Sequence, residues 1–273
     1  MDLGCADRCP VAGVSPDVVR GAYRGAARSW ADDASLAYVP LARHLVAQLG
    51  GRLPGPRALD AGAGTGAVGD LLRELGAEVV SVDLEPDMLR HRLGSRGHAV
   101  VGDVVRLPLR SRRFDVVVAG FVLNHVAEHV AALRELGRVT RAGGVVLASV
   151  FGNERSALKE VVDERLAAFG WSPPGWYTAV RERSEAVGTA ELFEARAREA
   201  GLDGSVRSAE VDVGLDTPEL VVRYRLAMAH SREFVAGLPD DERRALVRDA
   251  VAAVAATHEP FRPVVLELVA TVR

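Results

Sequence analysis

Arg57-Ala58-Leu59-Asp60-Ala61-Gly62-Ala63-Gly64-Thr65-Gly66 decides the fold of this chain. An apolar run ending in an acid passes into glycines at alternate positions. Beyond them, Ala67 to Leu75 carries apolar residues at 68, 71, 72 and 75, which share one helical face. Glycines take backbone angles closed to other residues and let a ligand approach the main chain where a Cβ would block it. The helix that follows turns its first N–H groups back toward the turn, where anionic groups are favoured. Strand, glycine turn and helix together predict a nucleotide site in an α/β fold.

Working outward, Glu78 to Asp83 is a second apolar strand ending in an acid placed for ribose hydroxyls. Ala99 to Val104 reads as a third short strand whose acid, Asp103, is placed for the exocyclic amine of an adenine. Phe114 to Phe121 is a fourth, with the unbroken apolar run of a parallel strand buried on both faces. The glycine motif alone does not choose the nucleotide, because Gly62-x-Gly64-x-x-Ala67 also satisfies the looser dinucleotide fingerprint. An acid such as Asp83 also has a plainer reading, as a cap for the helix starting near Glu85-Pro86-Asp87.

The ordered set Leu59 to Gly66, Val82-Asp83, Gly102-Asp103-Val104, Leu107-Pro108-Leu109, Phe114 to Val117, Leu123-Asn124-His125-Val126 and Arg141-Ala142-Gly143-Gly144 resembles the class I S-adenosylmethionine-dependent methyltransferases. It is most similar to the ubiquinone/menaquinone-biosynthesis-like branch that includes actinobacterial natural-product enzymes. The resemblance implies a doubly wound, Rossmann-like, seven-stranded and mostly parallel sheet, with S-adenosyl-L-methionine as cofactor and S-adenosylhomocysteine as product. By that likeness Asp60, Gly62, Ala63 and Gly64 hold the methionine part, and Asp83 holds the ribose with Leu84 and Met88 beside it. Asp103 and Val104 take the adenine, and Gly120 and Phe121 lie next to the sulfonium. The segment from Tyr23 to Trp30 resembles an N-terminal Tyr-x-x-x-Ala-x-x-Tyr pattern, with Trp30 in place of the second tyrosine, so Tyr23 is expected at the cofactor. The alternative is that both aromatics pack their helix onto the core. Gly143-Gly144 reads as the turn from a helix into the strand Val145 to Val150 and carries no chemistry.

Composition narrows the partners. The chain has 273 residues, nearly half of them hydrophobic, and a net charge of −3 with both signs mixed throughout. That balance lacks the basic surface that DNA or RNA binding requires. There is no apolar leader and no uncharged run long enough for a bilayer, so a cytoplasmic protein away from membranes is expected, as a monomer or homodimer. Cys5 and Cys9 fall in a start that reads from the sequence as loosely ordered, and two thiols alone do not complete a zinc site. Lys159 is the only lysine; with the Ala/Gly/Val/Arg richness it reads as coding bias, without a role.

Four regions follow. Residues 1–50 hold two cofactor-covering helices, Pro16 to Ala31 and Ser35 to Leu49. Residues 51–151 form the binding core. Residues 152–188 hold a helix, Asn153 to Phe169, and an aromatic loop from Gly170 to Tyr177 in which two prolines break helix formation. Residues 189–273 complete the core, with a helical lid inserted at about 216–262, before the last strand. Trp171, Trp176 and Tyr177 are suited to wall an organic acceptor, with Asn124 and His230 as polar contacts; a satellite cluster anchoring the loop is the alternative.

Methyl transfer from a sulfonium asks for little beyond alignment, exclusion of water and removal of a proton. His125, just after the fourth strand, is the candidate base, with a shielding or capping role as alternatives. His125 and His129 lack the His-Glu-x-x-His pattern, so no metal is expected. The expected activity is methyl transfer to a small-molecule specialised metabolite, as in antibiotic biosynthesis, with O-methylation of a hydroxyl ahead of N- or C-methylation. Two other readings remain: a cyclase or pericyclase that keeps the cofactor as structure, and a non-catalytic cofactor-binding regulator.

Overall fold

The computed structural model describes residues 15–91, 98–154 and 156–273. Cys5, Cys9 and the start expected to be loosely ordered lie outside them. Seven strands among the described residues form one sheet: β1 Arg57–Ala61, β2 Glu78–Asp83, β3 His98–Val101, β4 Phe114–Gly120, β5 Thr140–Phe151, β6 Asp203–Glu210 and β7 Val264–Thr271. Their order is β3-β2-β1-β4-β5-β7-β6. β1 to β5 run parallel, and β7 is antiparallel to both β5 and β6. This is the doubly wound, Rossmann-like sheet expected from the sequence.

The apolar runs of β1 and β4 are buried because helices cover both faces. On one face Val117 and Leu59 meet Leu133 and Leu136 of helix His129–Val139 and Phe193 of helix Ala190–Glu199. On the other, Val116 and Val118 meet Leu45 of helix Ser35–Val46 and Leu71 and Leu72 of helix Ala67–Glu74. Between β1 and β4 the winding reverses, and in open α/β sheets the crevice beyond the carboxyl ends at such a point receives ligands.

Several boundaries differ from expectation for local reasons. The first helix ends at Tyr23, where Gly25 takes φ +67; Ala27–Ser29 and one wide π turn, Trp30–Ala34, then lead into Ser35–Val46. Gly143-Gly144 is not a turn between helix and strand. Helix His129–Val139 passes directly into β5, and the glycines lie in a bulge where Phe114 pairs with Thr140 but Val116 pairs with Val145. The helix expected from Asn153 runs over Ala157–Ala168. The aromatic segment is a loop only to Pro174, because helix Gly175–Ser184 starts there and contains Trp176 and Tyr177. Proline suits the position just before a first turn, where no N–H has to be donated, so the diproline starts a helix as well as ending one.

The insertion before β7 comprises helices Pro218–Leu226, Arg232–Gly237 and Asp240–Ala255. Its apolar residues Val222, Tyr224, Leu246 and Val254 join Leu158, Val162 and Leu166 of helix Ala157–Ala168, together with Leu41 and Phe121, in a third apolar cluster. Arg223 pairs with Asp33, and Arg232 donates to the Arg24 carbonyl (2.7 Å), so the insertion is tied to the N-terminal helices. No helix among the described residues is long and apolar enough to cross a membrane.

Candidate functional site

A cavity of about 370 Å³ opens beyond the carboxyl ends of β1, β2 and β4. The glycine turn forms its floor. Gly62 and Gly64 sit at φ +76 and +53, and a Cβ on Gly62 would come within 2.5 Å of the Val122 side chain. Only glycine satisfies both the angle and the space there.

Three aspartates at or near strand ends line this cavity. Asp60, at the end of β1, is 1% exposed and accepts one hydrogen bond, from the Gly69 N–H in the first turn of helix Ala67–Glu74 (2.8 Å). Burial pushes its carboxyl up to about 7; the Gly69 bond opposes this, and the nearby Asp83 adds to it. Asp83, at the end of β2, accepts from the Gly64 N–H (2.7 Å) and the Glu85 N–H (2.9 Å). Burial raises its carboxyl while those backbone donors hold it back. Helix Pro86–Arg90 is capped by Glu85, which accepts from Asp87 N–H, so Asp83 instead locks the glycine turn to β2. Each oxygen of Asp83 retains a further lone pair for a ligand hydroxyl. Asp103 lies two residues beyond β3, in a turn where its Oδ1 accepts from Val105 N–H (3.0 Å).

Tyr23, Asp60, Gly62, Ala63, Gly64, Asp83, Leu84, Met88, Asp103, Val104, Gly120, Phe121 and His125 all line this one cavity. The Tyr23 hydroxyl and His125 Nε2 share a hydrogen bond of 3.2 Å, with the rings edge to face at 5.5 Å. Burial lowers the His125 imidazole to about 4 and raises the Tyr23 phenol, so both are neutral at pH 7. Nδ1 of His125 and Oδ1 of the adjacent Asn124 are buried without a hydrogen-bond partner. Phe121 holds φ +58, rare for a bulky residue, and its ring packs against Phe151 (4.6 Å) and Tyr38 (5.5 Å).

The residues expected to wall the acceptor are elsewhere. Asn124, Trp171, Trp176, Tyr177 and His230 do not line the cavity, and neither does any residue of the insertion. Trp171 donates Nε1–H to the His230 carbonyl (3.1 Å), and Tyr177 stacks on His230 at 3.9 Å. Trp171 and Tyr177 bury ring surface against His230 while each keeps a hydrogen bond at its polar edge. The insertion approaches the cavity through Tyr224, whose ring lies 6.4 Å from that of Tyr38. Arg20, Trp30, Tyr38, Glu128 and Arg183 line the cavity and were not assigned from the sequence. Trp30 alone carried a signal, its spacing from Tyr23.

This fold is the Rossmann-like methyltransferase fold, and residues 59–148 match the family model described as a methyltransferase domain. Malonyl-[acyl-carrier protein] O-methyltransferase of Serratia marcescens is 35% identical over 153 residues, covering 55% of this chain and 58% of that protein. Demethylmenaquinone methyltransferase of Mycobacterium tuberculosis is 40% identical over 105 residues, covering 38% of this chain and 45% of that protein. The chain thus spans about half the length of these curated relatives. Among solved structures, phosphoethanolamine N-methyltransferase 2 of Haemonchus contortus in complex with S-adenosyl-L-methionine matches with TM-score 0.59 at 17% identity, covering 97% of this chain and 61% of that one. That likeness is one of fold. The family match ends at Ala148, so helices Ala157–Ala168 and Gly175–Ser184 and the insertion lie beyond it.

Proposed function

We propose that this chain is an S-adenosyl-L-methionine-dependent methyltransferase acting on a small organic acceptor, with O-methylation of a specialised metabolite as the leading reading. One observation carries it: a single cavity brings together a left-handed glycine turn and the acids at or just beyond the carboxyl ends of three successive parallel strands. The residues fit the cofactor. Asp60 is a buried carboxylate with one hydrogen bond, suited to an ammonium group, and Asp83 has lone pairs to offer ribose hydroxyls. Asp103 and Val104 are suited to the adenine, and Gly62 leaves room that a side chain would fill.

The cofactor, when bound, supplies a methyl group on a sulfonium whose leaving group is already good. The protein is left to align the acceptor and exclude water, and alignment alone accounts for several kcal/mol, about 7–11 in favourable cases. We assign Gly120, Phe121, Tyr23 and His125 to the transfer end. Because burial keeps the imidazole at about 4, His125 is neutral at pH 7; in the tautomer whose Nε2–H donates to the Tyr23 oxygen, Nδ1 is the nitrogen with a lone pair to receive a proton from the acceptor. It is a weak base, so orientation by the Tyr23–His125 pair carries more of the rate than proton removal does.

Calorimetry with S-adenosylhomocysteine tests the site; binding with one-to-one stoichiometry is expected, and binding of NAD instead would overturn it. Incubation with methyl-labelled cofactor and candidate aromatic alcohols then tests the reaction. Label in the acceptor and release of S-adenosylhomocysteine are expected. Conversion of the acceptor without that product would replace methyl transfer with the cyclase reading.

A further inference from the structure

Tyr38 lies on helix Ser35–Val46, which follows directly on the wide π turn Trp30–Ala34. In a regular α-helix, residues 30 and 38 would stand about 80° apart around the axis. A π turn advances less per residue and takes up that offset, so the two rings share one side and lie 4.9 Å apart. Tyr38 also meets Phe121 edge to face at 5.5 Å, and Trp30 meets Tyr23 at 5.4 Å. Tyr23, Trp30, Tyr38 and Phe121 thus form one continuous aromatic wall, and all four line the cavity.

The two ends of this wall face different things. A Cβ on Gly64 would stand 4.0 Å from the Trp30 indole nitrogen, so Trp30 lies over the glycine turn proposed to hold the cofactor. Tyr38 stands one ring further along, against Phe121, which follows Gly120 at the end of β4 where the transfer end is assigned. Phe151 at 6.1 Å and Tyr224 at 6.4 Å back the Tyr38 ring from the protein side.

The Tyr38 hydroxyl is uncommitted. That of Tyr23 is shared with His125 Nε2 at 3.2 Å, whereas among the described residues the Tyr38 hydroxyl makes no hydrogen bond. Nor is its oxygen sealed off as Asn124 Oδ1 and His125 Nδ1 are. Burial raises the phenol well above its ordinary value, so it stays protonated and keeps an O–H to donate. A tyrosine hydroxyl set among rings usually finds a partner, and the cavity is where one has room.

We propose that Tyr38 is a specificity-determining residue of the acceptor site: the acceptor is an aryl compound whose ring lies on the Tyr38–Phe121 part of the wall, and one of its oxygens accepts a hydrogen bond from the Tyr38 hydroxyl. That this ligand is the acceptor rests on the proposed methyltransferase reading; recognition of an oxygen-bearing aryl compound does not.

The test compares acetophenone with α-methylstyrene, its isostere with a methylene in place of the carbonyl oxygen, on the protein loaded with S-adenosylhomocysteine. The ketone can only accept a hydrogen bond, so the lone pair on His125 cannot account for a preference. NMR titration is expected to show the ketone binding about fivefold more tightly, as one neutral hydrogen bond gives. Tyr38→Phe keeps the ring against Trp30 and Phe121, and is expected to equalise the two ligands by weakening the ketone while the alkene binds as before. Difference infrared spectroscopy with carbonyl-carbon-13 acetophenone reads the bond in the wild type without any variant: the carbonyl band is expected below its position in an apolar solvent, and Tyr38→Phe is expected to return it. Equal affinity for ketone and alkene, no binding of either at millimolar concentration, a preference that survives Tyr38→Phe, or an unshifted band overturns the inference. Failure of S-adenosylhomocysteine to bind, with the Tyr38-dependent ketone preference intact on the unloaded chain, would overturn the methyltransferase reading and leave this one standing.

Discussion

Asp60, in the proposed cofactor site, is a buried side chain whose ionisation responds to a charge placed beside it. Its carboxyl sits near 7 because burial outweighs the one Gly69 hydrogen bond, so at neutral pH it is partly protonated. If Asp60 holds the ammonium as proposed, that cation favours the ionised form, and binding of S-adenosylhomocysteine is expected to release part of a proton near pH 7. Calorimetry in buffers of different ionisation enthalpy measures that release, and Asp60→Asn is expected to abolish it. At Gly62, alanine would place its Cβ 2.5 Å from Val122 on a backbone held at φ +76. Overpacking and the left-handed backbone together predict a loss of about 2–4 kcal/mol in denaturant titrations. Loss of cofactor binding is expected with it.

The insertion before β7 is held by packing rather than by its charges. Leu246 is fully buried in the cluster that joins the insertion to helix Ala157–Ala168, whereas Arg223, which pairs with Asp33, is more than half exposed. Leu246→Ala is expected to lower stability by about 2–5 kcal/mol. Arg223→Ala should change it by about 1 kcal/mol or less, since water and salt screen an exposed pair. Thermal or urea unfolding of the two variants separates these outcomes. The elements that were legible in the sequence are the local ones. β2, β4 and helix Ala67–Glu74 follow from apolar runs and helical spacing, and the glycine turn from its own residues. The bulge at Gly143-Gly144 was not legible, because a register shift depends on which residue of β4 lies opposite. Trp176 and Tyr177 were placed in a loop because Pro173-Pro174 was read only as a helix breaker.

At the scale of the molecule, buried ionisable groups pull stability in opposite directions with pH. His125 and His230 are held at about 4 and 2 when folded, below the usual histidine value, so they destabilise the fold progressively as pH falls below about 6.5. Asp60 is raised when folded, so its contribution is full below about 4 and lost as pH rises through 7. Asp60→Asn should therefore gain on the wild type as pH goes from 4 to 8, and His230→Asn should gain on it as pH goes from 7 to 4. Urea midpoints across that range check both signs. That Asp60, Asp83 and Asp103 meet at one cavity was legible because they stand at or just beyond strand ends in chain order. The setting of Lys159 was not, because Phe261 and Arg225, which shape it, come from segments far along the chain and are joined to it only by folding.

The position of β7 has a consequence for how the protein is made. β6 has no neighbour in the sheet except β7, and β7 separates it from β5. While Val264–Thr271 is still untranslated, Asp203–Glu210 has no ladder to join, and the outer flank of β5 is bare. The parallel half can assemble on the ribosome as its five strands emerge, whereas the other flank has to wait for one late segment that closes two gaps at once.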